Sequence, residues 1–140
     1  MRSEVRTIRS AVGKARLGRA APCRDVEQWR RMAACGSDAT LFYKNDLDSE
    51  EQTRHWVTKA KTVCKLCPVR AQCAAYALRV AEPYGIWGGF TESERARLLA
   101  IDWRKYADRA CTRVDVAQLQ ARLGAMRAEE RFTATLRSMA

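Results

Sequence analysis

The residues best suited to chemistry in this sequence are its cysteines. Cys64 and Cys67 form a CxxC pair, Cys73 follows after five residues, and Cys35 offers a fourth thiol from a separate segment. Two thiolates separated by two residues can bind one metal centre from a single turn, so the four cysteines predict a metal site. Zinc ribbons generally repeat the CxxC pair, whereas here the second pair is split, which favours an iron–sulfur cluster with one thiolate per iron. Zinc remains the alternative metal, and buried structural cysteines are the alternative without a metal.

Two further cysteines, Cys23 and Cys111, lie outside this pattern. Each is interpreted as a bystander thiol, with a resolving thiol or an intermolecular disulfide as the alternatives. The only histidine, His55, lies in a polar helical stretch and is predicted to be exposed rather than a ligand.

A cluster held by four thiolates is anionic, so positive charge and free amide groups nearby would stabilise it. Pro68 is predicted as the first residue of a helix, because a proline lacks the N–H that would be unpaired there. The helix start at Cys67 and Pro68 would then face the cluster, and Lys61, Lys65 and Arg70 add positive charge.

The sequence also predicts the helices that position these thiols. Asp25 would cap a short helix that leads to Cys35. Ser49 and Gln52 form a capping box, and the helix that follows should run towards Cys64.

Beyond the cysteines, residues 85–89 contain three glycines that allow positive φ or close backbone approach, so they predict a turn. Thr91 and Glu94 form a second capping box. From about Val114 apolar residues recur at helical spacing, which predicts a long amphipathic helix, bent near Gly124. No segment alternates with period two, so the predicted fold class is all-α.

The composition describes a small domain with tails. The chain has 140 residues, of which 30% are charged and 8% aromatic. Its core should therefore be small and should need an additional stabilising element such as a metal site or disulfides. The first residues lack the apolar stretch of a secretion signal, and no apolar run approaches the roughly 18 residues that a membrane helix requires. We therefore expect free thiols or metal ligands in a soluble, cytoplasmic protein.

The net charge of +10 is concentrated at the two ends of the chain. Residues 1–31 and 95–140 are each strongly basic, whereas residues 32–94 are close to neutral. Basic arms suit polyanions, nucleic acid first, because each phosphate that is neutralised releases counterions. The alternative is that arginine-rich ends only keep the protein soluble.

Together these motifs resemble the WhiB-like family of actinobacteria and their phages. The resemblance covers about residues 25–97. It rests on Trp29 before Cys35, CKLCPVRAQC at residues 64–73, GIWGG at residues 85–89 and TESER at residues 91–95.

The resemblance implies a [4Fe–4S] cluster that reacts with oxygen or nitric oxide. Its ligands would be Cys35, Cys64, Cys67 and Cys73. It also implies docking on the C-terminal domain of the primary sigma factor of RNA polymerase. The sigma-binding residues would be Trp87, Gly88, Gly89, Phe42, Tyr43 and Trp29, with core packing as the alternative for the aromatic residues.

The sequence departs from the family pattern in two places. Ala39 and Thr40 replace the usual proline before the aromatic pair, and Tyr43 replaces a phenylalanine, so the sigma contact could be altered. The tail lacks the Arg-Gly-Arg-Pro type of minor-groove hook. The predicted DNA contacts, to phosphates more than to bases, are Arg97, Arg104, Lys105, Arg109 and Arg113. The last helix is alternatively a protein-binding face.

The predicted organisation is a basic flexible arm at 1–22, the cluster domain at 23–97 and a basic helical tail at 98–140. The predicted function is a redox- and nitric-oxide-responsive transcriptional regulator that binds sigma and promoter DNA. It is not expected to be an enzyme or to take a small-molecule substrate. The alternatives are a thiol–disulfide reductase of the cluster-free form, although no βαβ pattern surrounds the CxxC, and a zinc-stapled DNA-binding module.

Overall fold

The computed structural model of the chain describes residues 28–36, 42–43 and 45–140. Within these ranges the regular secondary structure is helical, and extended pairing is limited to two isolated bridges. The predicted all-α class is confirmed for this part of the chain. The predicted basic arm, Cys23 and the Asp25 cap lie outside the described residues.

The helices occupy most of the described chain, beginning with a helical stretch at residues 28–30. The longer elements are α1 (Glu50–Lys65), α2 (Arg70–Arg79), α3 (Glu92–Leu99), a 3₁₀-helix (Trp103–Tyr106) and α4 (Val116–Met139).

Helix α1 begins where the sequence predicts. The Ser49 hydroxyl accepts a hydrogen bond from the Gln52 amide at 3.2 Å, and the Gln52 side chain accepts one from the Ser49 amide at 2.8 Å. This capping box satisfies two amide donors that the first turn leaves unpaired. Cys64 lies one residue before the end of the helix, so the cap fixes the start of the element that carries this thiol.

Helix α2 begins later than predicted. Pro68 lies in a turn, and Val69 has φ −113° and ψ 22°, so the first helical residue is Arg70. The prediction that Pro68 opens the helix is therefore wrong by two residues. The reason is that the chain turns after α1, where the Cys67 amide donates to the Cys64 carbonyl at 3.1 Å, before it becomes helical again.

A large core joins α2, α3, the 3₁₀-helix and α4, and we call it the helical core. Its buried members are Ala74, Ala75, Leu78, Phe90, Leu98, Trp103, Val114, Leu119 and Leu123. Residues of the predicted tail thus pack against residues of the predicted cluster domain.

A smaller apolar cluster lies around α1, and we call it the cavity region. Phe42, Ala60, Cys64 and Ile86 form its buried part, and Cys35 packs against them together with other partly buried side chains. Two of the four thiols, Cys35 and Cys64, therefore belong to the smaller of the two apolar clusters.

Helix α4 is packed along its first half only. Asp115 caps it by accepting a hydrogen bond from the Gln118 amide at 3.1 Å, and Leu119 and Leu123 are buried. Its 24 residues span about 36 Å, and the apolar residues of the second half are exposed. Over the described residues, no helix has both the length and the apolar character needed to cross a membrane.

Candidate metal centre

The cysteines of the predicted quartet line a single cavity of about 220 Å³. Cys35 comes from the turn after the first helical residues, Cys64 from the end of α1, Cys67 from the following turn and Cys73 from α2. All four thiols are free. Two turns and two helices thus bring four thiols to the wall of one cavity, and their role as metal ligands stays a prediction.

Among the described residues, no group of three histidine, cysteine, aspartate or glutamate side chains is placed to hold a metal ion. A single zinc ion would need its thiolates to converge within about 2.3 Å of the metal. A cluster of several irons takes one thiolate at each iron and so needs its ligands spread around a larger volume. Four thiols on the wall of one cavity match the ligand set of such a cluster, and zinc remains the alternative metal.

Backbone amides point at three of these sulfur atoms. The backbone N–H groups of Gly89 and Gly88 lower the pKa of the Cys64 and Cys73 thiols, respectively, which is the effect of an amide that faces a sulfur atom. The Ala34 amide donates to the Cys67 sulfur at 3.4 Å. Amide donors stabilise negative charge on sulfur and are among the groups by which a protein tunes an iron–sulfur centre.

Burial makes the two innermost thiols weak acids. It raises the pKa of Cys64 to about 11 and that of Cys73 to about 12, although the glycine amides act in the opposite direction. A thiol that attacks disulfides must be a thiolate near neutral pH. With its raised pKa, the Cys64 thiol would be a poor nucleophile towards disulfides. A bound metal would displace the proton, as metals do at buried thiols.

The glycine turn is built on the start of α2. Gly88 has φ 60° and Gly89 has φ 81°, values that side chains disfavour. A Cβ at Gly88 would lie 2.5 Å from the Cβ of Ala74, and one at Gly89 would lie 2.7 Å from the Arg70 guanidinium. Only glycine permits this approach, which is what brings the two amides to the thiols.

Arg95 holds the turn from inside, a role that the sequence analysis did not identify. Its side chain is 1% exposed and donates to the carbonyls of Gly85 at 2.6 Å, Phe90 at 2.7 Å, and Tyr84 and Glu82 at 3.1 Å each. Burial lowers the pKa of this arginine, although the nearby charges of Glu92 and Glu82 act in the opposite direction. The sequence could have indicated its burial, because Arg95 lies three residues before Leu98 and therefore on the same, inner face of α3.

A second polar contact joins the cysteine-bearing helix to α3 and α4. One oxygen of Glu94 accepts from Lys61 at 2.6 Å and from Arg127 at 3.0 Å, and the other accepts from the Thr91 amide at 2.9 Å. Burial alone would raise the pKa of Glu94, but the Lys61 hydrogen bond, the Thr91 amide and the Arg127 charge together lower it. The capping box predicted at Thr91 and Glu94 is confirmed.

Five of the six residues predicted to bind sigma line the cavity, all except Gly89, and they are exposed to different extents. Trp29 and Phe42 are buried, Trp87 is half-buried, and Tyr43 is 44% exposed. The Phe42 carbonyl accepts from the Ile86 amide at 2.8 Å, so this residue also anchors the glycine turn.

The residues predicted to bind DNA are not equally available. Arg97 is paired with Glu130 at 2.7 Å, and Arg104 lies 4.9 Å from the centre of the Trp103 ring. Lys105, Arg109 and Arg113 are exposed on the segment between α3 and α4. Within the described part of the chain, those three and Arg104 form no salt bridge.

The remaining candidates lie away from the cavity. His55 is exposed, as predicted. Cys111 is a partly buried free thiol at the edge of the helical core, and it has φ 55°.

Fold and site together define a small helical domain with a candidate thiolate metal centre. The family described as Transcription factor WhiB matches residues 29–98. The chain belongs to the WhiB family.

Several characterised relatives are similar over the same part of the chain. The transcriptional regulator WhiD of Streptomyces coelicolor is 47% identical over 79 residues, which are 56% of this chain and 70% of the relative. The redox-responsive transcriptional regulator WhiB3 of Mycolicibacterium smegmatis is 41% identical over 87 residues, 61% of this chain and 91% of the relative. The redox- and pH-responsive transcriptional regulator WhiB3 of Mycobacterium tuberculosis is 39% identical over 79 residues, 56% and 78% of the two chains.

Proposed function

We propose that this protein is a cytoplasmic transcriptional regulator whose activity depends on a [4Fe–4S] cluster held by Cys35, Cys64, Cys67 and Cys73. The observation that carries the proposal is that these four thiols line one cavity. Membership of the WhiB family and the regulatory names of its relatives support the role in transcription.

The residues around the cavity have distinct tasks in this proposal. The four cysteines hold the group, and the amides of Gly88 and Gly89 stabilise charge on Cys73 and Cys64. Arg95 fixes the turn that presents those amides. When bound, the cluster supplies a centre that changes on reaction with oxygen or nitric oxide. Because ligand binding stabilises the folded cavity region, losing the group would alter the surface around it.

That surface is the proposed docking site for the C-terminal domain of the primary sigma factor. Trp87 and Tyr43 are the members with exposed area, so they would make direct contact. Gly88, Gly89, Phe42 and Trp29 are buried and would shape the surface from below. Loss of the cluster would then weaken sigma binding because both share the glycine turn.

Promoter DNA is the second proposed partner. Lys105, Arg109 and Arg113 are exposed cations on one connecting segment, and Arg104 is held nearby on Trp103. Such residues would contact phosphates and position the complex without reading bases. Arg97 would contribute less than predicted, because Glu130 already pairs with it.

The test is an anaerobic purification with iron and sulfide analysis, followed by capture on the sigma C-terminal domain. The expected result is about four iron atoms per chain, brown colour, and capture that disappears in Cys35→Ser. Cys111→Ser is the matched control, since this thiol lies outside the cavity, and it should retain both iron and capture. Zinc in place of iron would contradict the cluster. Capture that is indifferent to the Cys35 change would contradict the coupling of cluster and partner.

A further inference from the structure

One cation at the cavity has no role in the function proposed above. The guanidinium of Arg30 lies 4.7 Å from the ring centre of Tyr76, 5.6 Å from that of Trp29 and 5.9 Å from that of Trp87. The rings contact one another, with centres 6.0 Å apart for Trp29 and Tyr76 and 5.6 Å apart for Tyr76 and Trp87. Each ring comes from a different element, so the guanidinium is held where three segments meet.

Arg30 also lines the cavity that the four thiols share. The other arginine of that wall is Arg70, whose Nε donates to the Gly88 carbonyl at 2.9 Å. Arg30 as a whole is exposed, which places it at the mouth of the cavity instead of its floor. An aromatic platform favours a cation because the faces of the rings are electron-rich, and such contacts strengthen as water is excluded.

We propose that Arg30 is a positioning residue for the metal centre: a ring-held guanidinium that closes the mouth of the cavity and compensates the negative charge of the occupied site. The inference rests on the proposed [4Fe–4S] function. Four thiolates with a cluster of charge 2+ give a net charge of −2. Adding one electron, with no proton, makes it −3. A fixed positive charge stabilises the second state more than the first, by Coulomb's law.

Charge and shape have separable effects. Arg30→Met removes the charge but keeps a long apolar side chain, so the site should become harder to reduce. Arg30→Lys keeps the charge but loses the planar group that stacks on the rings, so the mouth should open while the potential changes little. Arg79 is the matched control, because its guanidinium also lies over Tyr76, at 5.9 Å, but it does not line the cavity.

The experiment compares anaerobically loaded wild type, Arg30→Met, Arg30→Lys and Arg79→Met. One measurement is the one-electron midpoint potential, poised by an electrode with mediators. The other is the rate at which an iron chelator bleaches the visible absorption. Arg30→Met should shift the reduction equilibrium about threefold against the reduced form, equivalent to about 28 mV at 59 mV per tenfold change, and release iron several-fold faster. Arg30→Lys should release iron faster at nearly unchanged potential, and Arg79→Met should match the wild type.

Equal potentials in Arg30→Met, Arg79→Met and wild type would overturn the charge compensation. Equal release rates would overturn the closing role. If Arg30→Met does not take up the cluster, the iron-release rate of Arg30→Lys still tests the closing role. The midpoint potential of Arg30→Gln, the second neutral variant, then tests the charge compensation. A wild-type protein without a four-iron centre would instead refute the proposed function itself, so the two failures are distinguishable.

Discussion

The helical core and the cavity region are stabilised in different ways. The helical core contains large apolar side chains from α2, α3 and α4, and it leaves Leu98 and Leu119 with no exposed surface. The cavity region has few buried apolar residues, one of which is a cysteine, and they surround an open volume. Apolar burial sustains the first, whereas the second needs its amide contacts and, in our proposal, its bound group. One small chain can thus combine a core that is stable by itself with a region whose stability depends on a bound group.

The strongest way to break this contrast is to remove the proposed metal centre, by a chelator or by Cys64→Ser. A structural zinc ion contributes about 10 kcal/mol or more to the folding of a zinc-finger peptide, and a thiolate-bound cluster should likewise stabilise the fold that holds it. We expect amides of α1 to lose protection from hydrogen exchange by orders of magnitude, while α2 and the first half of α4 keep theirs. Cys111→Ser is the control and should leave both regions protected. Equal loss of protection in the two regions would show that they fold as one unit.

The complementary change targets the helical core. Leu119→Ala should lower the free energy of unfolding by about 2–5 kcal/mol, because Leu119 is 0% exposed and its truncation leaves a cavity. Leu136, on the same helix, is 52% exposed, and Leu136→Ala should change stability by no more than about 0.5 kcal/mol. Urea denaturation followed by far-ultraviolet circular dichroism measures both. Similar losses would mean that the second half of α4 is packed in solution.

Two glycines sharpen the contrast on a smaller scale. Gly88→Ala combines a φ of 60° with a Cβ placed 2.5 Å from Ala74, so we expect a loss of about 1–3 kcal/mol and weaker donation to Cys73. Gly124→Ala meets open space within α4 and should gain about 0.5–1 kcal/mol. Thermal unfolding of the two variants beside wild type gives the signs. A neutral Gly88→Ala would show that the turn can move away from α2.

An effect of similar size is expected at the contact between the two regions. Glu94→Gln should cost about 1–3 kcal/mol at neutral pH, since it weakens charged hydrogen bonds to Lys61 and Arg127. The pKa of Glu94 is lower in the folded protein than in the unfolded chain, so its contribution is complete above the unfolded value of about 4.3 and is lost as the pH falls through the folded value.

Unfolding in urea across a pH series tests this, with Glu130→Gln as the control. Glu130 pairs with Arg97 on the surface, where its side chain is 57% exposed, so it should contribute about 0–1 kcal/mol. A difference between wild type and Glu94→Gln that does not shrink with acid would contradict the assigned carboxylate.

The sequence predicts local features better than long-range ones. Both capping boxes, the glycine turn and the all-α class follow from neighbouring residues, and the structure confirms them. The thiol spacing also places the four cysteines on one cavity. The roles proposed for individual residues stay predictions.

What the sequence does not predict depends on contacts between distant segments. The carbonyl partners of Arg95 lie up to 13 residues away in the sequence. Arg30 contacts the rings of Tyr76 and Trp87, which follow it by 46 and 57 positions. The apolar period of α4 continues through Phe132 and Leu136, yet these are exposed. Periodicity records which residues share a face but not whether anything covers it.

The hydrogen bonds of Arg70 and Cys64 use the two ends of one amide group. Arg70 donates to the carbonyl oxygen of Gly88, and the N–H of the same peptide unit, that of Gly89, lowers the pKa of the Cys64 thiol. A cation at the oxygen draws electron density along the C–N bond, which makes the N–H a stronger donor. Arg70 on α2 therefore acts on the sulfur of Cys64 on α1 through the peptide group between them. Its positive charge favours negative charge on that sulfur.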